Sequence, residues 1–297
     1  MAESDTITRN AKSNLAFTLM DLPEEKRIHM ARFYAFCRLI DDIVDEPGMS
    51  SEARHAALTR WEQVITCAVK PTHGIEEEVH SLVTSLHLDT TPMLELIDGC
   101  RSDIDPIQPA TRQELLAYAY KVAACVGITS ATVMGASPAA KDYAMALGYA
   151  LQMVNILRDV AEDCRKYGRF YLPLDDMELF GVTHDDIREQ RYNYRMRQLL
   201  AYEAALAEKF FCEAEELYQQ LSVEDRNCLI PAQAMSLIYH TILEKMQADE
   251  YRVFERRYSV GNFRKLWFLL RARFETVSMP SLPTISEWGF FKNNKPE

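Results

Sequence analysis

Apolar residues recur every three to four positions through most of the 297-residue chain, and the strict alternation that marks a half-buried strand is nearly absent. This period predicts helices over about 24–46, 51–69, 75–87, 92–103, 111–135, 138–166, 195–220, 224–257 and 262–277. Breaks are expected at Pro47-Gly48, Pro71, Pro92, Pro106 with Pro109, Pro138, Gly168, Gly181 and Gly261, where an N–H is missing or the backbone is free to turn. No linker, repeat or low-complexity segment divides the chain. The expected fold class is therefore all-α, a single-domain helical bundle over residues 1–278 followed by a C-terminal tail over 279–297.

Two of the predicted helices carry a polar stripe beside an apolar one. In the helix over 24–46, Tyr34, Cys37, Arg38, Asp41 and Asp45 share one face, and Phe33, Phe36, Ile40 and Val44 form the stripe next to it. The helix over 138–166 repeats the design, with Gln152, Asn155, Asp159 and Asp163 beside Leu147, Leu151, Val154 and Leu157. Such a pair predicts a bundle whose interior encloses a lined cavity. Asp41 and Asp45, like Asp159 and Asp163, stand four residues apart, so each pair lies on one helical face. Both pairs fall near helix C-termini, where the macrodipole disfavours negative charge by roughly 0.3–1 kcal/mol per group. A solvated acidic surface is the plain reading of such acids. Their position favours another, in which two facing pairs hold hard cations through oxygen and leave coordination positions open for a substrate's phosphates.

Composition narrows the field. Hydrophobic residues make up 48% and charged residues 26%, ordinary values for a globular protein, and the net charge of −11 argues against nucleic acid as a partner. A diphosphate substrate fits that charge only if bound divalent metal inverts the local sign. No apolar run approaches the ~20 residues of a membrane span, and the N-terminus lacks the basic-then-apolar order of a signal peptide, so a cytoplasmic location is expected. The seven cysteines form no CxxC pair and read mostly as buried thiols, and the histidines show no ligand spacing.

The stretches Tyr34-Ala-Phe-Cys-Arg-Leu-Ile-Asp-Asp-Ile-Val-Asp45, Tyr118-Ala-Tyr-Lys-Val-Ala-Ala-Cys-Val-Gly127 and Gln152-Met-Val-Asn-Ile-Leu-Arg-Asp-Val-Ala-Glu-Asp163, with Gly168-Arg-Phe-Tyr-Leu-Pro173, closely resemble the squalene/phytoene synthase family of head-to-head prenyltransferases. The resemblance runs from about residue 13 to 275 and implies an isoprenoid-synthase fold enclosing an apolar cavity. It further implies that two prenyl diphosphates are the substrates, joined at their C1 ends with magnesium, which manganese can replace. Asp41, Asp45, Asp159 and Asp163 would be metal ligands, with Asn155 and Gln152 contacting the metal–phosphate array. Arg38, Arg158 and Arg169 would meet diphosphate oxygens, and Tyr34 and Tyr171 would stand on the phosphate side. Val122, Ala123, Val126 and Gly127 match the segment that lines the family's apolar tunnel, Tyr239 matches a tyrosine facing the cavity, and Ser13 aligns with a serine near the first helix. Arg38 and Arg158 have a salt-bridge alternative, and Tyr34, Tyr171, Tyr239 and the segment from Val122 to Gly127 a packing one. Asn14 and Leu15 depart from the family's usual aromatics, and Phe17 is a candidate for closing the tunnel's end.

The resemblance leans toward two farnesyl diphosphates giving presqualene diphosphate or squalene, with phytoene synthesis from two geranylgeranyl diphosphates as the alternative. A non-catalytic assembly factor on the same fold is a further alternative, disfavoured because all four aspartates are kept. A Gly-rich dinucleotide fingerprint is absent, so NADPH use is left open. The apolar clusters Leu266-Trp267-Phe268-Leu269-Leu270 and Trp288-Gly289-Phe290-Phe291 admit two readings, peripheral contact with a bilayer or docking of a helix and tail.

Overall fold

A computed structural model describes residues 2–10, 14–19, 22–46, 48–72 and 74–276, and within them the regular structure is helical. In chain order the helices are α1 (Glu3–Asn10), α2 (Asn14–Thr18), α3 (Glu24–Asp45), α4 (Ser51–Ile65), α5 (Gly74–Leu86), α6 (Thr91–Ser102), α7 (Arg112–Ala119), α8 (Cys125–Val133) and α9 (Lys141–Glu162). There follow α10 (Leu174–Phe180), α11 (His184–Arg188), α12 (Tyr194–Gln220), α13 (Val223–Cys228), α14 (Ile230–Ala248) and α15 (Asn262–Thr276). A π-helical turn over Tyr120–Ala124 joins α7 to α8, and another over Asp163–Tyr167 extends α9.

The two helices that carry the acid pairs form for local reasons. Pro23 opens α3, Glu24 and Glu25 suit the positive end of its dipole, and Met30, Phe33, Phe36, Ile40 and Val44 bury its apolar stripe. A 3-10 turn over Pro138–Ala140, capped by Ser137, leads into α9, which buries Leu147, Val154 and Leu157. Its π turn stops at Gly168, whose φ of +67° is the left-handed conformation that a glycine adopts without strain.

Helix α9 is central: α12 runs along one side of it, and α8 with the preceding π turn packs on another. Close approach there requires missing side chains. A Cβ on Gly148 would stand 2.6 Å from the Ala124 Cα and 2.8 Å from the Ala123 carbonyl oxygen, and one on Gly127 would stand 2.5 Å from the Ala144 carbonyl oxygen. One large apolar core, including Phe33, Phe36, Leu147, Leu157, Tyr143 and Tyr218, spans these helices.

Several sequence expectations change. The helix expected over 224–257 is two, α13 and α14, separated at Leu229, with Pro231 in the first turn of α14 where its missing N–H is harmless. It stops at Ala248, and Glu250 and Tyr251 take positive φ, so residues 249–261 run as irregular chain back toward α9. Short helices α1, α2, α10 and α11 were not expected, because elements of five to eight residues carry too few turns for a periodic signal. The segment Arg112–Val133 is long and apolar enough to cross a membrane, contrary to the expectation from the sequence, but it packs against α6 and α9 as a core helix does. Among the cysteines only Cys100 and Cys125 are buried, while Cys67 and Cys212 are exposed.

Candidate active site

The C-terminal ends of α3 and α9 converge on a cavity of about 450 Å³. Asp41, Asp45 and Arg38 reach it from α3. Gln152, Asn155, Arg158 and Asp159 reach it from α9, and Asp163, Tyr167, Arg169 and Tyr171 from the π turn and the chain beyond Gly168. Tyr239 of α14 and Val122 also line it, and all of these except Tyr167 are residues that the sequence singled out. Residues more than a hundred positions apart are thus brought to one place.

The acids do not share one environment. Burial, and then the charge of Asp45, push the Asp41 carboxyl up to about 7, although part of its surface opens to the cavity. Burial followed by repulsion from Asp159 raises Asp163 to about 7 as well. Burial alone would raise Asp159 too, but two guanidiniums outweigh it and hold that carboxyl below its ordinary value. Arg158 donates to Asp159 through Nε at 2.9 Å and Nη2 at 2.5 Å, and Arg257 does so through Nε at 3.0 Å and Nη2 at 3.2 Å. The salt-bridge alternative for Arg158 is therefore present in the structure, within a side chain that also lines the cavity. Arg38 likewise pairs with Asp42 at 2.5 Å while lining the cavity.

Asp103, just past the end of α6, organises the opposite wall. Its Oδ2 accepts the Tyr118 hydroxyl at 2.8 Å and its Oδ1 the Tyr171 hydroxyl at 3.0 Å, and the two rings stack with centroids 5.1 Å apart. Arg169 donates to the Asp103 carbonyl at 3.0 Å and to Asp45 Oδ1 at 2.8 Å, tying this wall to α3. Burial raises the Asp103 carboxyl, with Arg169 and the two tyrosines opposing, and raises both phenols. Tyr171 is thus an anchored hydrogen-bonding group rather than a merely packed ring.

Other expected residues stand outside this cavity. The cavity is lined mainly by acids, arginines and tyrosines rather than apolar groups, with Val44, Val122 and Ile156 as its aliphatic members. Ala123, Val126 and Gly127 do not line it. Gly127 and the Ala123 carbonyl lie in the close contact of the α7–α8 segment with α9, and Val126 packs half-buried against the core, a packing role compatible with lining a tunnel. Tyr34 is half-buried on α3 and does not line the cavity, being a turn farther from the acids than Arg38. Phe17 sits half-buried on α2 and does not line it either. Ser13 and the Trp288-Gly289-Phe290-Phe291 cluster lie outside the described residues.

Asp103, Tyr118, Tyr167 and Arg257 were missed. Asp103 had a signal, since it too is an acid at a helix C-terminus, and Tyr118 opens a family-like stretch. Arg257 had none, because periodicity placed it inside a helix and only the fold turns its segment back to α9.

Among the described residues, no three His, Cys, Asp or Glu side chains converge on a single ion position. The donor set still fits magnesium, which keeps several waters and binds through one or two carboxylates plus substrate phosphates. Two carboxylate pairs facing a shared cavity, with Asn155 and Gln152 adding amide oxygens, supply that pattern.

Over residues 8–264 the chain matches the family model described as squalene/phytoene synthase. It is 34% identical over 272 residues to phytoene synthase 3, chloroplastic, of Zea mays, covering 89% of this chain and 63% of that protein, so it spans less than two thirds of that relative. It is 35% identical over 273 residues to the phytoene synthase of Arthrospira platensis, covering 85% of this chain and 86% of that one. In fold it is similar to a crystal structure of a dehydrosqualene synthase in complex with ligand, with a TM-score of 0.81, 28% identity, and coverage of 93% of this chain and 96% of that chain.

Proposed function

The chain belongs to the squalene/phytoene synthase family, and we propose that it joins two farnesyl diphosphates head to head to give presqualene diphosphate and then squalene. The observation that carries this reading is the convergence of two aspartate pairs, on α3 and α9, with Arg38, Arg158 and Arg169 around one cavity. Arginine forks match diphosphate oxygens, and the acid pairs match the divalent cations such a substrate brings. Magnesium, when bound, would neutralise the departing diphosphate; Asp41, Asp45, Asn155, Asp159 and Asp163 are the residues that would hold it.

The chemistry divides among the chain's own groups. Arg38, Arg158 and Arg169 bind and orient the diphosphate of the first chain as its C1–O bond breaks and the oxygen takes the electron pair. The C2–C3 double bond of the second chain attacks the resulting allylic C1 cation, and loss of a proton closes a cyclopropane that still carries its own diphosphate. The anchored Tyr171 and Tyr118 hydroxyls hold the wall beside this step without becoming anionic, since burial keeps both protonated. A second ionisation opens the ring, and reduction to squalene consumes a hydride donor such as NADPH. No covalent enzyme intermediate is involved.

A second reading, phytoene synthesis from two geranylgeranyl diphosphates, is favoured by the identity of 34–35% to phytoene synthases. An open apolar site should favour the longer chain, at ~0.8 kcal/mol per additional buried CH₂, so preference for farnesyl chains needs a closed end. Purified protein with magnesium and either substrate, with and without NADPH, separates the readings by mass spectrometry of the products. The expected result is a higher kcat/KM for farnesyl diphosphate, with presqualene diphosphate accumulating when NADPH is withheld. Phytoene formed at the higher kcat/KM would establish the second reading instead. No turnover of either substrate would leave the assembly-factor role.

Arg38→Lys tests the diphosphate contact, because it keeps the charge and loses the fork. Affinity for inorganic pyrophosphate with magnesium should fall by about tenfold, a loss of ~1.4 kcal/mol, as measured by calorimetry. Equal affinity would mean that Arg38 serves only its pair with Asp42. We place the enzyme in the cytoplasm, at the periphery of a membrane able to take up its water-insoluble product.

A further inference from the structure

Helix α15 is apolar on two opposite faces. Phe268, Leu269 and Ala272 are buried, with the helix packed on α14, α13 and α2. Phe263, Leu266, Trp267, Leu270 and Phe274 are 94%, 47%, 58%, 43% and 64% exposed. At 3.6 residues per turn these five side chains fall within an arc of about 100°, directly opposite the buried face. Single exposed apolar residues are ordinary, but five large ones contiguous on one helix form a patch that something covers.

The border of the patch says what. Arg264 and Arg271 follow it along one side and Arg273 along the other, and the helix as a whole holds four cations against one acid, Glu275, in a chain of net charge −11. Arg271 is steadied by Glu275 at 2.7 Å, and Arg264 lies over the Phe268 ring at 5.7 Å. An apolar stripe ending in a basic margin on each side is the profile of a helix lying in a membrane interface, where arginine stems run along the apolar surface and their heads meet lipid phosphates. A second copy of the chain fits less well, since a two-fold pairing through this stripe would bring the arginine margins of both copies to the same seam. We infer that the outer face of α15 docks the protein onto an anionic lipid bilayer. The inference rests on the surface of α15 rather than on the chemistry proposed above, and vesicle binding is read without substrate, so either can fail alone.

The test is co-sedimentation of the full chain with vesicles of phosphatidylcholine, with and without phosphatidylglycerol. Wild type is expected to bind the mixed vesicles at least tenfold more tightly than the neutral ones. Phe263→Ser with Trp267→Ser and Leu270→Ser should lose that binding while keeping turnover of soluble substrate and the melting temperature, because none of the three lines the cavity. Arg264→Glu with Arg273→Glu should abolish the preference for anionic lipid. Brominated lipid should quench fluorescence in Trp288→Phe but not in Trp267→Phe, placing α15 itself in the bilayer. The inference is overturned if wild type ignores anionic vesicles, as it would with the chain's own 277–297 segment covering the patch. It is equally overturned if the triple variant binds as wild type does, or if quenching follows Trp288. A wild-type dimer that the triple variant converts to monomer, with no vesicle binding, would give the face to a second copy.

Discussion

Asp41→Asn and Asp159→Asn are each expected to lower turnover of farnesyl diphosphate by ~10³-fold while leaving the helical fold intact. A neutral amide is a poor ligand for a hard cation, and several kcal/mol of charge stabilisation at the leaving diphosphate corresponds to losses of that order. EDTA should abolish wild-type turnover and added magnesium restore it. Undiminished activity in either variant, or in EDTA, would remove the aspartates from the chemistry. Asp41→Asn also carries a stability signature of opposite sign. In the metal-free protein Asp41 and Asp163 titrate at about 7 rather than at their ordinary 3.8. The folded state therefore binds protons more readily than the unfolded chain, and the stability this contributes is complete below the unfolded value and lost as pH rises through about 7. Without metal, Asp41→Asn should therefore raise the melting temperature at pH 8 and change it little at pH 4. A large fall at pH 8 would mean that the Asp41 charge holds the structure together.

Gly148→Val is expected to destabilise the protein by ~3 kcal/mol or more, the upper range for overpacking, read as a lower midpoint in urea. The atoms a Cβ would meet at 2.6–2.9 Å are the Ala124 Cα, the Ala123 carbonyl oxygen and the Ala124 nitrogen, all backbone. No rotamer change relieves that contact, so α9 must move away from the turn before α8. Gly148 lies on the same face of α9 as Gln152, Asn155 and Asp159, so surviving activity should fall as well. An unchanged midpoint would show that these helices pack less closely in solution than the structure has them.

Much of this was legible in the sequence because it depended on local period. The helices over 24–46 and 138–166 appear within a few residues of expectation, and both polar stripes face one cavity, since a 3.6-residue repeat fixes which side chains share a face. What periodicity cannot encode is which face meets which neighbour. Ala123 and Gly127 look identical on paper whether they border a tunnel or a helix, and only the fold shows their contact with Ala144 and Gly148. Arg38 and Arg158 lie where expected, yet each also satisfies an acid one to four residues away, a choice that depends on rotamers. Asp103 carries the same signal as the other acids, a helix C-terminus, whereas Arg257 falls inside an expected helix and reaches Asp159 only because the chain after Ala248 turns back.

The pairing of Arg257 with Asp159 also makes a guanidinium and a cation rivals for the same two oxygens. Arg158 competes from the neighbouring position on α9, whereas Arg257 stands on the irregular chain between α14 and α15. A cation that takes Asp159 must therefore displace two guanidiniums held by separate parts of the chain.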